Sequence, residues 1–175
     1  MMITNIAAKQ YQWKRETPIQ NGLHTYDTCK MTVLLIETDE GASGFAGISA
    51  INFKMEYLDT FRGLLLGENP LETERLWRKM WVPKLVGRRG LSTRFISLID
   101  IALWDLKGKA LGVPCYELLG GKVRDKARIY VNAKGNTTED LVQAAYSLKS
   151  QGFNAIRYSI GHPQNEQGRW PETFS

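Results

Sequence analysis

Residues 127 to 160 read strand, helix, strand, and no other stretch constrains the fold as much. "ARIYVNA" (127–133) and "FNAIRYSI" (153–160) are rich in β-branched and aromatic residues. Between them, "TTEDLVQAAYSLKSQ" (137–151) has a helical stripe at Leu141, Ala145 and Leu148. Thr137 with Asp140 three residues on forms a capping box, and Gly152 is placed as the stop. Two strands joined through a helix lie parallel in one sheet. A parallel sheet must be covered on both faces or closed into a barrel. After the second strand the sequence holds only "GHPQNEQGRWPETFS". The expectation is therefore the beginning of an α/β domain whose remainder is absent.

The first half of the chain has a different rhythm. Residues 2–13 and 26–38 are strand candidates, with the polar loop "KRETPIQNGLHT" (14–25) between them. "DEGASG" marks a turn and "FAGISAI" (45–51) a third strand, which predicts a three-stranded antiparallel meander. A loop longer than the sheet needs is either a binding loop or surface decoration. From residue 55 the pattern turns helical. "MEYLDTFRGLLLG" closes at Gly67, and "NPLETERLWRKMW" starts with Asn69 as N-cap and Pro70 at the first helical position. "STRFISLIDIALWDLKGKALG" (92–112) has apolar residues at 95, 98, 99, 102, 103, 106 and 110, with Ile96 and Ile101 on other sides, so it reads as buried nearly all round. Asp100, in its middle, is expected to be paired, because a bare buried carboxylate costs several kcal/mol, about 3–5 where a partner is lost. Gly112 and Pro114 end this helix, and "CYELLGGKVRD" supplies a short one.

Composition narrows the class. With 175 residues, 43% hydrophobic and 23% charged, the chain has the balance of an ordinary globular protein. The net charge of +5 raises the question of a polyanion partner, and "KLVGRRGLSTR" (84–94) is the densest basic stretch. No aromatic residue alternates with its charges, so the expectation is a solvated loop or small-anion contact, with no nucleic acid. His24 and His162 are too few and too far apart for a metal cluster or a triad. Cys29 and Cys115 fit reduced thiols. The sequence has neither an apolar run long enough for a membrane span nor a leader pattern, and the expected location is cytoplasmic, with no membrane partner.

The run "IDIALWDLKGKALGVPCYELLGGKVRD" (99–125) resembles a signature of the enolase superfamily, in the branch of mandelate racemase and muconate lactonizing enzyme. The resemblance rests on Asp100, Ala102, Trp104 and Asp105, on Lys107, Gly108 and Lys109, and on Gly112, Pro114, Leu118, Leu119, Gly120 and Gly121. "GENPLETERLWRKMW" is similar to the family's preceding segment, and "ARIYVNA" to the first strand of its barrel. It implies an α+β capping domain, residues 1–125, with a three-stranded antiparallel meander plus helices. The first βαβ unit of an incomplete (β/α)8 barrel follows, residues 126–175.

The resemblance also implies chemistry. Such enzymes bind Mg2+ and a small carboxylate such as a sugar acid, remove the proton next to the carboxylate and hold the enolate on the metal. The family's metal ligands come from the third to fifth barrel strands, so no metal is expected to bind this chain. Relatives often carry Lys-x-Lys on the second barrel strand, and here those positions align with Arg157 and Ser159. Arginine stays protonated and holds carboxylates by two parallel hydrogen bonds, and a serine without an activator is no base. The pair therefore argues against a two-base racemase and favours an acid-sugar dehydratase. Mannonate dehydratase also uses a tyrosine on the loop that follows, and no tyrosine follows Tyr158. Arg157 has a second reading, as an arginine paired to a neighbouring strand's carboxylate. The segments 14–25 and 46–52 correspond to specificity loops, with Arg15 and His24 as the substrate-binding candidates. The alternative to an enzyme is an inactive, truncated capping-domain protein with a binding or vestigial role. An unfinished sheet also predicts association of copies as a homo-oligomer.

Overall fold

The computed structural model describes residues 1–21, 24–49, 56–81, 91–135 and 137–158, with the backbone alone for Gln20, Asn21, His24, Leu91 and Ser92. The chain divides into two compact units: Met1–Ile19 with Thr25–Lys122, and Gln20–His24 with the chain from Val123 onward.

In the first unit the expected meander is present. Strands β1 (Ile3–Asn21), β2 (His24–Thr38) and β3 (Ser43–Ile48) lie in the order β1-β2-β3. The β2–β3 register runs from Thr32↔Ile48 to Glu37↔Ser43. The tight turn between them is closed by Thr38 N donating to Ala42 O at 3.1 Å, with Gly41 at φ 79°. The sequence reading of 14–25 as a loop is corrected: residues 14–21 continue β1, and His24 and Thr25 open β2. Polar side chains do not end a strand whose backbone groups are paired by its neighbour and whose faces both meet water.

One face of the sheet carries the core. Ile6, Leu34, Ile36 and Ala46 point into it and are buried. Three helices close over them: α1 (Glu56–Leu65), α2 (Thr73–Trp81) and α3 (Leu91–Leu111), followed by the short α4 (Cys115–Leu118). Helix α1 contributes Leu58, Phe61 and Leu65, and α2 contributes Leu76 and Met80. On α3, the apolar positions 95, 98, 99, 102, 103 and 106 are all buried, as is Ile96, but Ile101 is 56% exposed. Helix α3 therefore keeps one open side instead of being buried nearly all round. Burying each of these large side chains contributes about 1.5–3 kcal/mol, set against the entropy of ordering it.

Two local features differ from the sequence reading. Asn69 does not cap a helix; its Oδ1 accepts from Leu71 N at 3.1 Å in a turn, and α2 starts at Thr73. An asparagine side chain that bonds its own backbone two residues on competes with helix initiation. Asp100 is half-buried, and no hydrogen bond or ion pair to its carboxylate is found among the described residues.

The second unit contains β4 (Val131–Asn132), α5 (Thr138–Ser150) and β5 (Ile156–Arg157), with β4 and β5 parallel. The strands are shorter than their sequence pattern. Ladder pairing is confined to the residues where the two meet, and Ile129 and Tyr130 before β4 are 62% and 58% exposed.

Candidate functional site

The candidate site is built on β4, β5 and the entry to α5. Val131 N donates to Ala155 O at 3.1 Å and Ala133 N to Arg157 O at 2.8 Å, which fixes the register. Asn132 stands beside Arg157 as its Cα partner, and Val131 beside Ile156. In a parallel pair, partners share a face. Val131 and Ile156 are half-buried, while Asn132 and Arg157 are both exposed on the other face, at the C-terminal ends of their strands. That is the end at which parallel α/β sheets and barrels build their sites.

The loop from β4 to α5 is pinned. Asp140 N donates to Thr137 Oγ1 and Thr137 N to Asp140 Oδ2, both at 3.1 Å, so the capping box expected from the sequence is formed. A Cβ on Gly135 would stand 2.6 Å from Asp140 Cβ and 2.8 Å from Leu141 N, so the loop passes too close to α5 for a side chain there. At the other end, Gly152 at φ 93° stops the helix and Phe153 N donates to Leu148 O at 3.2 Å. Arg157 is thus set by a short, backbone-bonded unit.

Of the four residues singled out in the sequence, Arg157 and Arg15 are fully described. Ser159 lies outside the described residues, and His24 is described by backbone only, at the start of β2. Arg15 lies on β1 in the first unit, half-buried, and its Nε is buried with no hydrogen-bond partner among the described residues. The segment 50–52 and most of the basic stretch, 84–90, also lie outside the described residues. Asn132, beside Arg157, was not singled out. The signal for it was available, because the parallel pairing of "ARIYVNA" with "FNAIRYSI" leaves few registers.

The electrostatics elsewhere are structural. Glu68 accepts from both Arg75 and Lys79, and Arg75 also bonds Glu72. The Lys79 and Arg75 hydrogen bonds hold the Glu68 carboxyl below the usual glutamate range. An open groove of about 530 Å³ runs along Glu72, Glu74, Arg75, Arg78 and Lys107. Its arginines are already engaged, Arg75 with Glu68 and Glu72 and Arg78 with Glu74. Among the described residues no three of His, Cys, Asp and Glu gather as a metal site, and no helix is long and apolar enough to cross a membrane.

The chain and its fold have counterparts among known proteins. The family model of the mandelate racemase / muconate lactonizing enzyme N-terminal domain matches residues 3–120. A D-galactonate dehydratase of Variovorax paradoxus is 38% identical over 140 residues, covering 77% of this chain and 36% of that protein. A D-mannonate dehydratase of a Sphingomonas species is 37% identical over 135 residues, covering 74% of this chain and 33% of that one. In structure, a racemase from Streptomyces coelicolor solved with bound magnesium superposes with a TM-score of 0.77 at 29% identity, over 93% of this chain and 48% of that one. The chain spans about a third of the length of these two dehydratases.

Proposed function

The chain belongs to the mandelate racemase / muconate lactonizing enzyme family, and on that premise we propose that it supplies the capping domain and opening βαβ unit of an acid-sugar dehydratase. The observation that carries this reading is Arg157, exposed at the C-terminal end of β5 beside Asn132. A guanidinium does not give up its proton near neutrality, so Arg157 is no base for racemisation. It holds a carboxylate by two parallel hydrogen bonds and partly offsets the negative charge that builds up as the neighbouring carbon loses its proton. The Asn132 amide, on the same face, offers a donor and an acceptor to a substrate hydroxyl, and Ser159 is proposed as a further hydroxyl contact. Loss of the α-proton, to a base other than Arg157, together with the β-hydroxyl, as water, leaves an enol that tautomerises to a 2-keto-3-deoxy acid.

Magnesium, when bound, supplies the positive charge that stabilises an enolate in this family. The described residues do not provide three converging ligands for it, so no step is assigned to the metal on these residues.

A chimera tests the proposal: this chain replaces the matching N-terminal third of the Variovorax paradoxus D-galactonate dehydratase. The folded chimera is expected to release keto acid from a panel of aldonates, and Arg157→Met to raise KM at least about tenfold, the equivalent of one charge-assisted hydrogen bond. A folded chimera that exchanges or inverts the α-carbon without losing water, or that is inactive where its parent works, overturns it.

A further inference from the structure

Beside Arg157, the end of the second unit's sheet carries another cation, Lys134. Exposure alternates through β4 and past it: Val131 is half-buried, Asn132 exposed, Ala133 buried and Lys134 exposed. Ala133 N donates to Arg157 O at 2.8 Å, so the chain still runs along β5 at the residue before Lys134. Alternate residues of an extended chain share a face, which sets Lys134 on the side of Asn132, and Asn132 is the Cα partner of Arg157. Neither Lys134 nor Arg157 makes a hydrogen bond or ion pair with another described residue.

The acids at the entry to α5 are committed or turned away. Asp140 Oδ2 accepts from Thr137 N at 3.1 Å in the capping box. Glu139, one residue earlier, lies by helical spacing opposite the inward stripe of Leu141, Ala145 and Leu148. Two cations left on one exposed face repel each other and favour a ligand of opposite charge.

Resting on the reading of Arg157 as the holder of the reacting carboxylate, we propose that Lys134 is a second substrate anchor and that the acid bound here carries a carboxylate at each end. With a rise of about 3.3 Å per residue and strands about 4.8 Å apart, the Lys134 Cα lies roughly 8 Å from that of Arg157. The end carbons of an extended six-carbon diacid, joined by bonds of about 1.5 Å, are roughly 6 Å apart. The flexible lysine stem takes up the difference, and Asn132 lies between the two charges to meet the hydroxyls. The lysine ammonium is a compact point charge that suits one further singly charged group. A phosphate ester carries about −1.5 to −2 near neutrality and would leave charge unmatched, so the second anion is a carboxylate.

Titration of the purified, isotope-labelled chain with galactarate, a six-carbon diacid, and with galactonate, its mono-acid counterpart, reads binding by NMR without any turnover. Galactarate is expected to shift the signals of both Lys134 and Arg157 and to bind about three- to fivefold more tightly than galactonate, the worth of one exposed ion pair. Lys134→Met is expected to remove that difference and Lys134→Arg to keep it. Lys149→Met, in the last turn of α5, is expected to leave it unchanged, which separates a local contact from the general pull of a basic chain. Lys134→Gln serves as a second variant should Lys134→Met fail to fold. Equal affinities in the unaltered chain, a preference that survives loss of the Lys134 charge, or galactarate shifts that spare Lys134 overturn the assignment. The dehydratase reading fails separately, on a folded chimera that binds these acids and releases no keto acid.

Discussion

Two carboxylates with opposite environments make the first unit's stability depend on pH in opposite directions. Asp100 is raised above the ordinary aspartate value, first by burial and then by the negative charge of Glu74 across the α2–α3 contact. A raised acid favours the folded state most below its unfolded pKa, and that advantage is lost as pH climbs through the folded value. Asp100→Asn is therefore expected to stabilise the chain at pH 7, by less than about 1 kcal/mol because water screens a half-exposed group. The gain should vanish near pH 3, and denaturant midpoints at the two pH values check both. Glu68, lowered by Lys79 and Arg75, works the other way: its contribution is present above the usual glutamate range and lost as pH falls through the lowered value. Gly44 is the residue least able to change. A Cβ there would stand 2.1 Å from Ala102 O and 2.6 Å from Leu106 Cβ, against the backbone of α3. Gly44→Ala is expected to cost about 2 kcal/mol or more in a chemical melt, since neither strand nor helix can yield cheaply.

Among the elements, α5 is the one whose boundaries the sequence states most completely. Its capping box, its half-buried stripe at Leu141, Ala145 and Leu148 and its stop at Gly152 all stand as the pattern requires. Thr137→Ala removes the oxygen that Asp140 N donates to and should cost the helix about 1 kcal/mol, seen as faster amide exchange in its first turns. Helix α3 was equally legible on its core side, because a period of 3.6 residues leaves little freedom in which residues turn inward. What the sequence did not disclose depends on neighbours. Asn69 looks like a cap and acts in a turn, because side chain and helix compete for the same backbone groups. Polar residues 14–21 stay in β1 because β2 pairs with them. Asp100 looks fully buried on a helical wheel, and only the packing shows that α3 keeps an open side at Ile101. At the site, Arg157 could be found by resemblance, but Asn132 needed the register.

At the scale of the whole molecule, burial among the described residues is divided very unevenly. The contiguous apolar core runs from Ile3 to Leu106 and lies within the first unit. In the second unit, Ala133 is the buried hydrophobic residue among those described, while Val142, Tyr146 and Tyr158 are 45%, 66% and 55% exposed. Apolar area removed from water is the main force opposing chain entropy, so the two units cannot be equally stable. Denaturant should therefore separate them. Amides of α5 and of Val131 and Ala133 are expected to exchange through a low-energy opening, and those of α3 only through global unfolding of the first unit. Native-state hydrogen exchange over a series of sub-denaturing urea concentrations reads the two classes apart. If α5 and α3 instead converge on one opening energy, the second unit draws stability from more than its own described contacts.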